Sequence, residues 1–112
     1  MAVETVPDRG DLVWLQFSPQ AGHEQAGLRP ALVLSPASYN GKVGLALVCP
    51  VTSQVKGYPF EVALPPGGPI SGVVLADQVR SCDWRARRAR PAGRAPAVVV
   101  ASALGRARAL LT

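Results

Sequence analysis

A chain of 112 residues is long enough for one domain with a single core, so we predict one domain over residues 1–112. Its 48% hydrophobic and 17% charged residues exclude an intrinsically disordered chain, which could not bury enough apolar surface to offset the entropy of ordering. The formal net charge of +5, from 12 Lys and Arg against 7 Asp and Glu, favours an anionic partner, although an arginine-rich composition equally reflects a GC-rich genome.

The first eight residues form neither an apolar signal core nor a basic amphipathic presequence. No apolar run in the sequence approaches the roughly 18 residues that a membrane span needs. We therefore predict a cytoplasmic, unprocessed protein without a membrane partner. Cys49 and Cys82 lie in or beside apolar segments and are predicted to be buried, reduced thiols.

Short apolar segments separated by Gly and Pro predict strands in the first two thirds of the chain. The predicted strands are residues 11–17, 31–35, 43–51, 60–64 and 72–79. Alternate residues of the first strand, from Leu12 to Phe17, are predicted to face opposite sides of the sheet. The Asn40-Gly41 pair predicts a tight turn that joins the second and third strands as an antiparallel pair. Five short strands with brief connections predict a small, strongly bent barrel.

Residues 84–90 alternate small or apolar side chains with arginines, which predicts an outer strand with one wet face. Pro96 stands where the first residue of a helix would be. The apolar stripe of that helix is predicted from the spacing of Val100, Leu104, Ala107 and Leu111. The expected fold class is mainly β with a C-terminal α-helix.

Familiar metal and cofactor motifs are missing from the sequence. It has no Gly-Lys-Ser phosphate loop, no Cys and His at zinc spacing, and no dense carboxylate set for magnesium. A single histidine also excludes a two-histidine ribonuclease site within one subunit. We therefore predict that any chemistry uses no metal and no cofactor.

Glu24 and Arg29 lie in a polar stretch, residues 22–30, that precedes the second predicted strand. Pro30 restricts Arg29 to extended backbone geometry. Spacing alone favours a weak surface ion pair between Glu24 and Arg29 over a catalytic site. His23 is expected to be a loop residue placed where it could touch a substrate.

The third predicted strand ends in two hydroxyls, Thr52 and Ser53, and Gln54, Lys56 and Tyr58 follow within a few residues. A combination of hydrogen-bonding groups, a positive charge and an aromatic ring is suited to binding single-stranded RNA. A solvated turn before Phe60 explains the same residues equally well.

These residues and their neighbours, in this order, closely resemble the MazF/PemK family of toxin endoribonucleases, the effector half of bacterial toxin–antitoxin pairs. The matching segments are VPD (6–8), GDLVW (10–14), GHEQAGLRP (22–30), VLSP (33–36), KGYPFEV (56–62), ADQVRS (76–81) and DWRAR (83–87). The resemblance covers most of the chain to about residue 87, and beyond it only a turn and an amphipathic helix match.

The resemblance implies a small SH3-like β-barrel that acts as a homodimer and cuts single-stranded RNA at a specific sequence without a metal. Arg29 and Thr52 correspond to the family's catalytic pair, and Glu24 to an acidic residue that supports it. The implied RNA-binding residues are Phe17, His23, Gln25, Ser53, Gln54, Lys56, Tyr58, Gln78 and Arg80. The implied protein partner is an acidic MazE-like antitoxin whose extended segment covers the RNA groove.

In the implied reaction, the ribose 2′-hydroxyl attacks the adjacent phosphorus and expels the 5′-oxygen. Arg29 would stabilise the charge on the phosphorane, Thr52 would bind a phosphate oxygen, and Glu24 would orient Arg29 or accept the 2′-hydroxyl proton. Two alternatives are a toxin of the same fold that binds DNA gyrase without cutting RNA, and a non-catalytic SH3-like interaction module.

Overall fold

A computed structural model describes residues 5–17 and 27–112 of the chain. The two helices in this part of the chain are α1 (Ala37–Val43) and α2 (Ala97–Ala109). The strands are β1 (Asp11–Phe17), β2 (Gly27–Val33), β3 (Ala46–Thr52), β4 (Glu61–Ala63), β5 (Val73–Leu75), β6 (Arg80–Cys82) and β7 (Arg90–Arg94). Neither of these helices is long and apolar enough to cross a membrane.

The strands pair antiparallel in the order β4-β5-β3-β2-β1-β7, and β6 also pairs with β3. The predicted fold class, mainly β with a C-terminal helix, is confirmed. Among the described residues the sheet does not close on itself, so the predicted small barrel is an open one. Closure would require β4 to pair with β7, and α2 packs against β4 instead.

A helix joins β2 to β3 where the sequence predicts a tight turn at Asn40-Gly41. The two strands do pair antiparallel, with Leu32 opposite Cys49, so the predicted pairing is confirmed. The predicted tight turn is wrong, because helix α1 takes its place. The physical reason is that the Asn40 side chain is fully buried and hydrogen-bonded to the protein interior. The helix continues past Gly41 and ends at Val43, and Gly44 follows with a φ of +84°.

Residues 84–88 form turns rather than the predicted outer strand. The Asp83 carboxylate accepts a hydrogen bond from the Ala86 N–H at 3.0 Å, which closes the first turn. Trp84 is buried, and its indole N–H donates to the Asn40 carbonyl at 2.9 Å. A buried tryptophan at the start of the segment therefore overrides the alternating pattern, and strands form only on either side of it.

The core has one cluster of side chains on each face of the sheet. Leu12, Leu32 and Val74 pack with α2 on one face, and Val13 and Leu15 pack on the other. The predicted alternation along β1 is thus confirmed as far as Leu15. The side chain of Phe17 lies outside the described residues.

The buried stripe of α2 consists of Val99, Ala103 and Ala107. Three of the four predicted stripe residues are confirmed, because Ala107 is buried and Val100 and Leu104 are partly buried against the same core. Leu111 is wrong: it lies beyond the end of α2 and is 85% exposed. Cys49 and Cys82 are buried and unpaired, as predicted. Burial raises the pKa of the Cys49 thiol to about 12, so this thiol is protonated at neutral pH.

Candidate active site

The register of β2 and β3 brings Arg29 and Thr52 to one end of the sheet. Ala31 is opposite Pro50 in the last pair between β2 and β3, and Arg29 lies two residues before Ala31 while Thr52 lies two residues after Pro50. Both residues line one open cleft of about 400 Å³. Its remaining lining residues are Trp14, Leu28, Pro30, Val51, Ser53, Pro69, Ile70 and Ser71. The two residues that the sequence predicts as a catalytic pair therefore share one cleft.

The polar groups of this cleft suit an oxyanion. Arg29 is exposed, and its guanidinium can bind two phosphate oxygens through parallel N–H groups. Thr52 is half-buried, and its Oγ1 accepts a hydrogen bond from the Gln54 N–H at 3.1 Å. Since that N–H uses a lone pair of Oγ1, the hydroxyl proton of Thr52 can be donated to a bound group. The exposed Ser53 adds a second hydroxyl.

A second, smaller cleft of about 170 Å³ adjoins the first, and Thr52 lines both. Its other lining residues are Gln54, Lys56, Tyr58, Glu61, Leu75 and Gln78. Four of the predicted RNA-binding residues therefore lie around one cavity beside the catalytic candidates. Two side-chain amides, each with donors and an acceptor, and one phenol are groups that can read the edge and face of a nucleobase.

Three side chains from separate elements fix the loop at residues 54–60. The Glu61 carboxylate accepts hydrogen bonds from the N–H groups of Lys56, at 2.9 Å, and Gly57, at 2.8 Å. The Arg106 Nε of α2 donates to the Pro59 carbonyl at 2.8 Å. Tyr58 is tied down by its hydroxyl, which donates to the Asp77 carboxylate at 3.0 Å.

Asp77 also affects the ionisation of Tyr58. Desolvation raises the pKa of the Tyr58 hydroxyl, and the hydrogen bond and negative charge of Asp77 raise it further. The phenol is therefore a protonated donor at neutral pH. The sequence does not predict the roles of Asp77 and Arg106, because their partners lie 19 and 47 residues away and leave no local pattern. It does not predict the role of Glu61 either, although the partners of Glu61 lie only four and five residues before it.

Five further residues predicted for the site are Arg80, Phe17, His23, Glu24 and Gln25. Arg80 begins β6 opposite Val48 of β3, is exposed, and lines neither cleft. Phe17 ends β1 opposite Gly27, and only its backbone is described. His23, Glu24 and Gln25 lie outside the described residues. Within residues 5–17 and 27–112, no three His, Cys, Asp or Glu side chains cluster closely enough to hold a metal ion.

Comparisons with known proteins agree with this architecture. The chain is 57% identical over 93 residues to the endoribonuclease toxin MazF of Escherichia coli K12, covering 83% of each protein. It is 43% identical over 110 residues to the endoribonuclease toxin ChpB of the same strain, covering 93% of each. It also matches a crystal structure of MazE–MazF from Deinococcus radiodurans with a TM-score of 0.91 and 63% identity, over 96% of this chain and 97% of the other.

The family model of PemK-like, MazF-like toxins of type II toxin–antitoxin systems matches residues 8–111. That span includes every strand and both helices described above, together with Arg29 and Thr52. The chain therefore belongs to the PemK-like, MazF-like toxin family of type II toxin–antitoxin systems.

Proposed function

We propose that this toxin is a metal-independent, sequence-specific endoribonuclease that cuts single-stranded RNA in the cleft shared by Arg29 and Thr52. The observation that carries the proposal is that Arg29, in the first half of β2, and Thr52, the last residue of β3, line the same cleft. The relatives with 57% and 43% identity are endoribonucleases, which supports the same class of reaction here. Cleavage of messenger RNA would stop translation and growth.

The RNA supplies its own nucleophile in this proposal. Its 2′-hydroxyl oxygen forms a bond to the adjacent phosphorus as the bond from phosphorus to the 5′-oxygen breaks, which leaves a 2′,3′-cyclic phosphate and a 5′-hydroxyl. The guanidinium of Arg29 stabilises the charge that develops on the phosphoryl oxygens, and the Thr52 hydroxyl donates to one of them. Glu24 orients Arg29 or accepts the proton of the 2′-hydroxyl, and the departing 5′-oxygen takes up a proton from Arg29 or from solvent water.

The second cleft would hold a base next to the scissile phosphate. The amides of Gln54 and Gln78 can each donate to and accept from a base edge, and the ring of Tyr58 can stack on a base. Lys56 supplies a charge for the RNA backbone. Additional RNA contacts from Phe17, His23, Gln25, Ser53 and Arg80 complete the proposed binding set.

A homodimer and an acidic antitoxin are the proposed protein partners, in the cytoplasm. The exposed apolar residues Leu47, Val79 and Leu110 line an apolar cleft of about 500 Å³, and such a surface suits a second copy of the chain. The related Deinococcus toxin crystallised with MazE, which supports a MazE-like partner here. Its acidic segment would cover the RNA groove and prevent cleavage.

The direct test is to incubate the purified protein with a long single-stranded RNA in excess EDTA and to map the cut positions. We expect discrete cuts at one short sequence, with 3′ ends that accept a poly(A) tail only after the cyclic phosphate is removed. The same RNA annealed to its complement should remain intact. Absence of cuts on RNAs of varied sequence would contradict the proposal, and a gyrase-binding assay would then examine the first alternative.

Glu61→Gln is predicted to weaken RNA recognition more than catalysis. The variant replaces one of two carboxylate oxygens by an NH₂ group that faces a backbone N–H, so the loop at residues 54–60 loses a charge-assisted hydrogen bond worth about 1.5–3 kcal/mol. We expect KM to rise about tenfold or more, with a smaller change in kcat. Steady-state cleavage of an oligonucleotide that contains the mapped site measures both.

The matched control for this loop is Asp83→Asn. Asp83 also accepts a backbone N–H, from Ala86, but it serves the turn at residues 84–88 and lines neither cleft. Its KM should stay within about twofold of the parent's. Equal KM values for the Glu61 variant and the parent would show that the carboxylate does not shape the RNA-binding loop.

A further inference from the structure

The backbone of the proposed catalytic Thr52 lies against a glycine of the neighbouring strand segment. Gly72 directly precedes β5, whose Val73 pairs with Thr52 of β3. A Cβ atom built at Gly72 would lie 2.2 Å from the Thr52 carbonyl oxygen, 2.9 Å from its carbonyl carbon and 3.2 Å from the Ser53 Cα. All three are backbone atoms, so no side-chain rotation could relieve the overlap.

Gly72 is also held from the opposite side. Its carbonyl accepts a hydrogen bond from the Leu64 N–H at 2.9 Å, and Val73 pairs with Ala63 of β4. The residue at this position therefore cannot retreat from Thr52 without breaking the β4–β5 hairpin. Its φ of +116° is in the region that glycine adopts readily and that other residues rarely adopt.

The segment that Gly72 ends forms a wall of the larger cleft. Pro69, Ile70 and Ser71 line that cleft together with Arg29 and Thr52. Because glycine has no side chain, residues 69–71 can approach the end of β3 closely. Any displacement forced at Thr52 would also alter the hydrogen bond from the Gln54 N–H to Thr52 Oγ1.

We infer that Gly72 is a positioning residue for catalysis: its lack of a side chain sets the location of the Thr52 hydroxyl in the active-site cleft. This inference rests on the proposed function, in which Thr52 touches the scissile phosphate. Misplacement of a catalytic group by about 1 Å lowers a rate by about a hundredfold. A methyl group at residue 72 is therefore expected to lower kcat about a hundredfold.

The experiment compares Gly72→Ala with Gly67→Ala. Gly67 has a similarly positive φ of +83°, but no heavy atom lies within 4 Å of the place its Cβ would occupy. Both variants carry backbone strain, and only the first has the overlap with Thr52. We expect a hundredfold lower kcat for Gly72→Ala and a kcat within twofold of the parent's for Gly67→Ala. Equal values of kcat for the two variants would overturn the inference.

Two further measurements separate positioning from a general structural effect. Affinity for an RNA with a 2′-deoxyribose at the cut site, which cannot be cleaved, should change less than threefold in Gly72→Ala. In a Thr52→Ala background, the Gly72→Ala change should lower kcat by less than threefold, because the group it displaces is already gone. A hundredfold loss in both backgrounds would show that Gly72 acts elsewhere.

The same variants distinguish this inference from the proposed function. Full activity of Thr52→Ala would contradict the catalytic role of Thr52 itself, whereas low activity of Thr52→Ala with full activity of Gly72→Ala would contradict only the role of Gly72. If Gly72→Ala is unfolded at 25 °C, the rates are measured with trimethylamine N-oxide, which favours the compact state. A chain that stays unfolded under those conditions would assign Gly72 to folding and overturn the positioning role.

Discussion

Arg29→Ala is expected to abolish RNA cleavage and to leave the fold intact. Among the described residues that line the larger cleft, Arg29 is the one arginine, and Thr52, Ser53 and Ser71 supply only neutral hydroxyls. Without its guanidinium, the charge on the phosphorane would have no cationic donor from the described lining of that cleft. Loss of one such donor costs a factor of about 10²–10³, and loss of a catalytic arginine in phosphoryl transfer about 10³–10⁵. We therefore expect at least about a thousandfold loss of kcat/KM.

The stability of the Arg29→Ala protein should change by less than about 1 kcal/mol, because exposed side chains contribute little to the free energy of unfolding. Single-turnover cleavage in EDTA measures the rate, and urea unfolding measures the stability. Arg29→Lys keeps the charge but loses the planar fork, so it should recover only part of the rate.

Arg90→Ala is the matched control for charge. Arg90 is also an exposed strand arginine, but it lies on β7 and lines neither cleft. Its removal lowers the net charge by the same amount, and cleavage should stay within about threefold of the parent's. A similar loss for both variants would indicate that overall charge, rather than the Arg29 guanidinium, determines the rate.

The sequence predicts strands where a local pattern determines them, whereas local patterns do not select the proposed catalytic residues. Alternation along β1 follows from the two-residue period of a strand, and Thr52 is the last residue of β3. Pro30 lies inside β2, which begins at Gly27, four residues before the predicted strand. The resemblance to a known family then selects Arg29 and Thr52 from a set of residues that spacing alone leaves ambiguous.

Predictions fail where a long-range contact overrides a local pattern. Asn40-Gly41 has the composition of a tight turn, yet the Asn40 side chain is buried and donates a hydrogen bond to the carbonyl of Pro7, 33 residues earlier. The alternation of arginines with small or apolar residues at 84–90 is typical of an edge strand. Trp84, however, is buried, and its indole N–H donates a hydrogen bond to the carbonyl of Asn40, 44 residues away. Such contacts exist only once the chain has folded, so no window of sequence contains them.

Asn40→Ala is predicted to destabilise the protein by about 4 kcal/mol. The side chain is completely buried: its Nδ2 donates to the carbonyls of Pro7, at 2.7 Å, and Ser35, at 2.9 Å. Its Oδ1 accepts from the Ser35 hydroxyl at 2.6 Å. Alanine would leave both carbonyls without this donor, at about 1–3 kcal/mol for each unsatisfied group, and would also leave a small cavity.

The Asn40 network matters for function because it holds the connection between the two strands that carry the site. The Ser35 hydroxyl also accepts from the Leu47 N–H at 2.8 Å, so Asn40 and Ser35 together tie the end of β2 to the start of β3. Arg29 of β2 and Thr52 of β3 line one cleft, so a folded molecule in which these strands are paired retains the site. We therefore expect Asn40→Ala to lower the fraction of folded protein and to leave kcat per folded molecule nearly unchanged.

Urea unfolding at a fixed protein concentration measures this loss, since a dimer would make the midpoint depend on concentration. Lys42→Ala is the control from the same helix, because Lys42 is exposed and its loss should cost less than about 0.5 kcal/mol. Asn40→Asp, which has the same shape but cannot donate to the two carbonyls, should be at least as destabilising as Asn40→Ala. A loss below about 1 kcal/mol in Asn40→Ala would mean that the connection between β2 and β3 is held mainly by packing rather than by the hydrogen bonds of the buried amide.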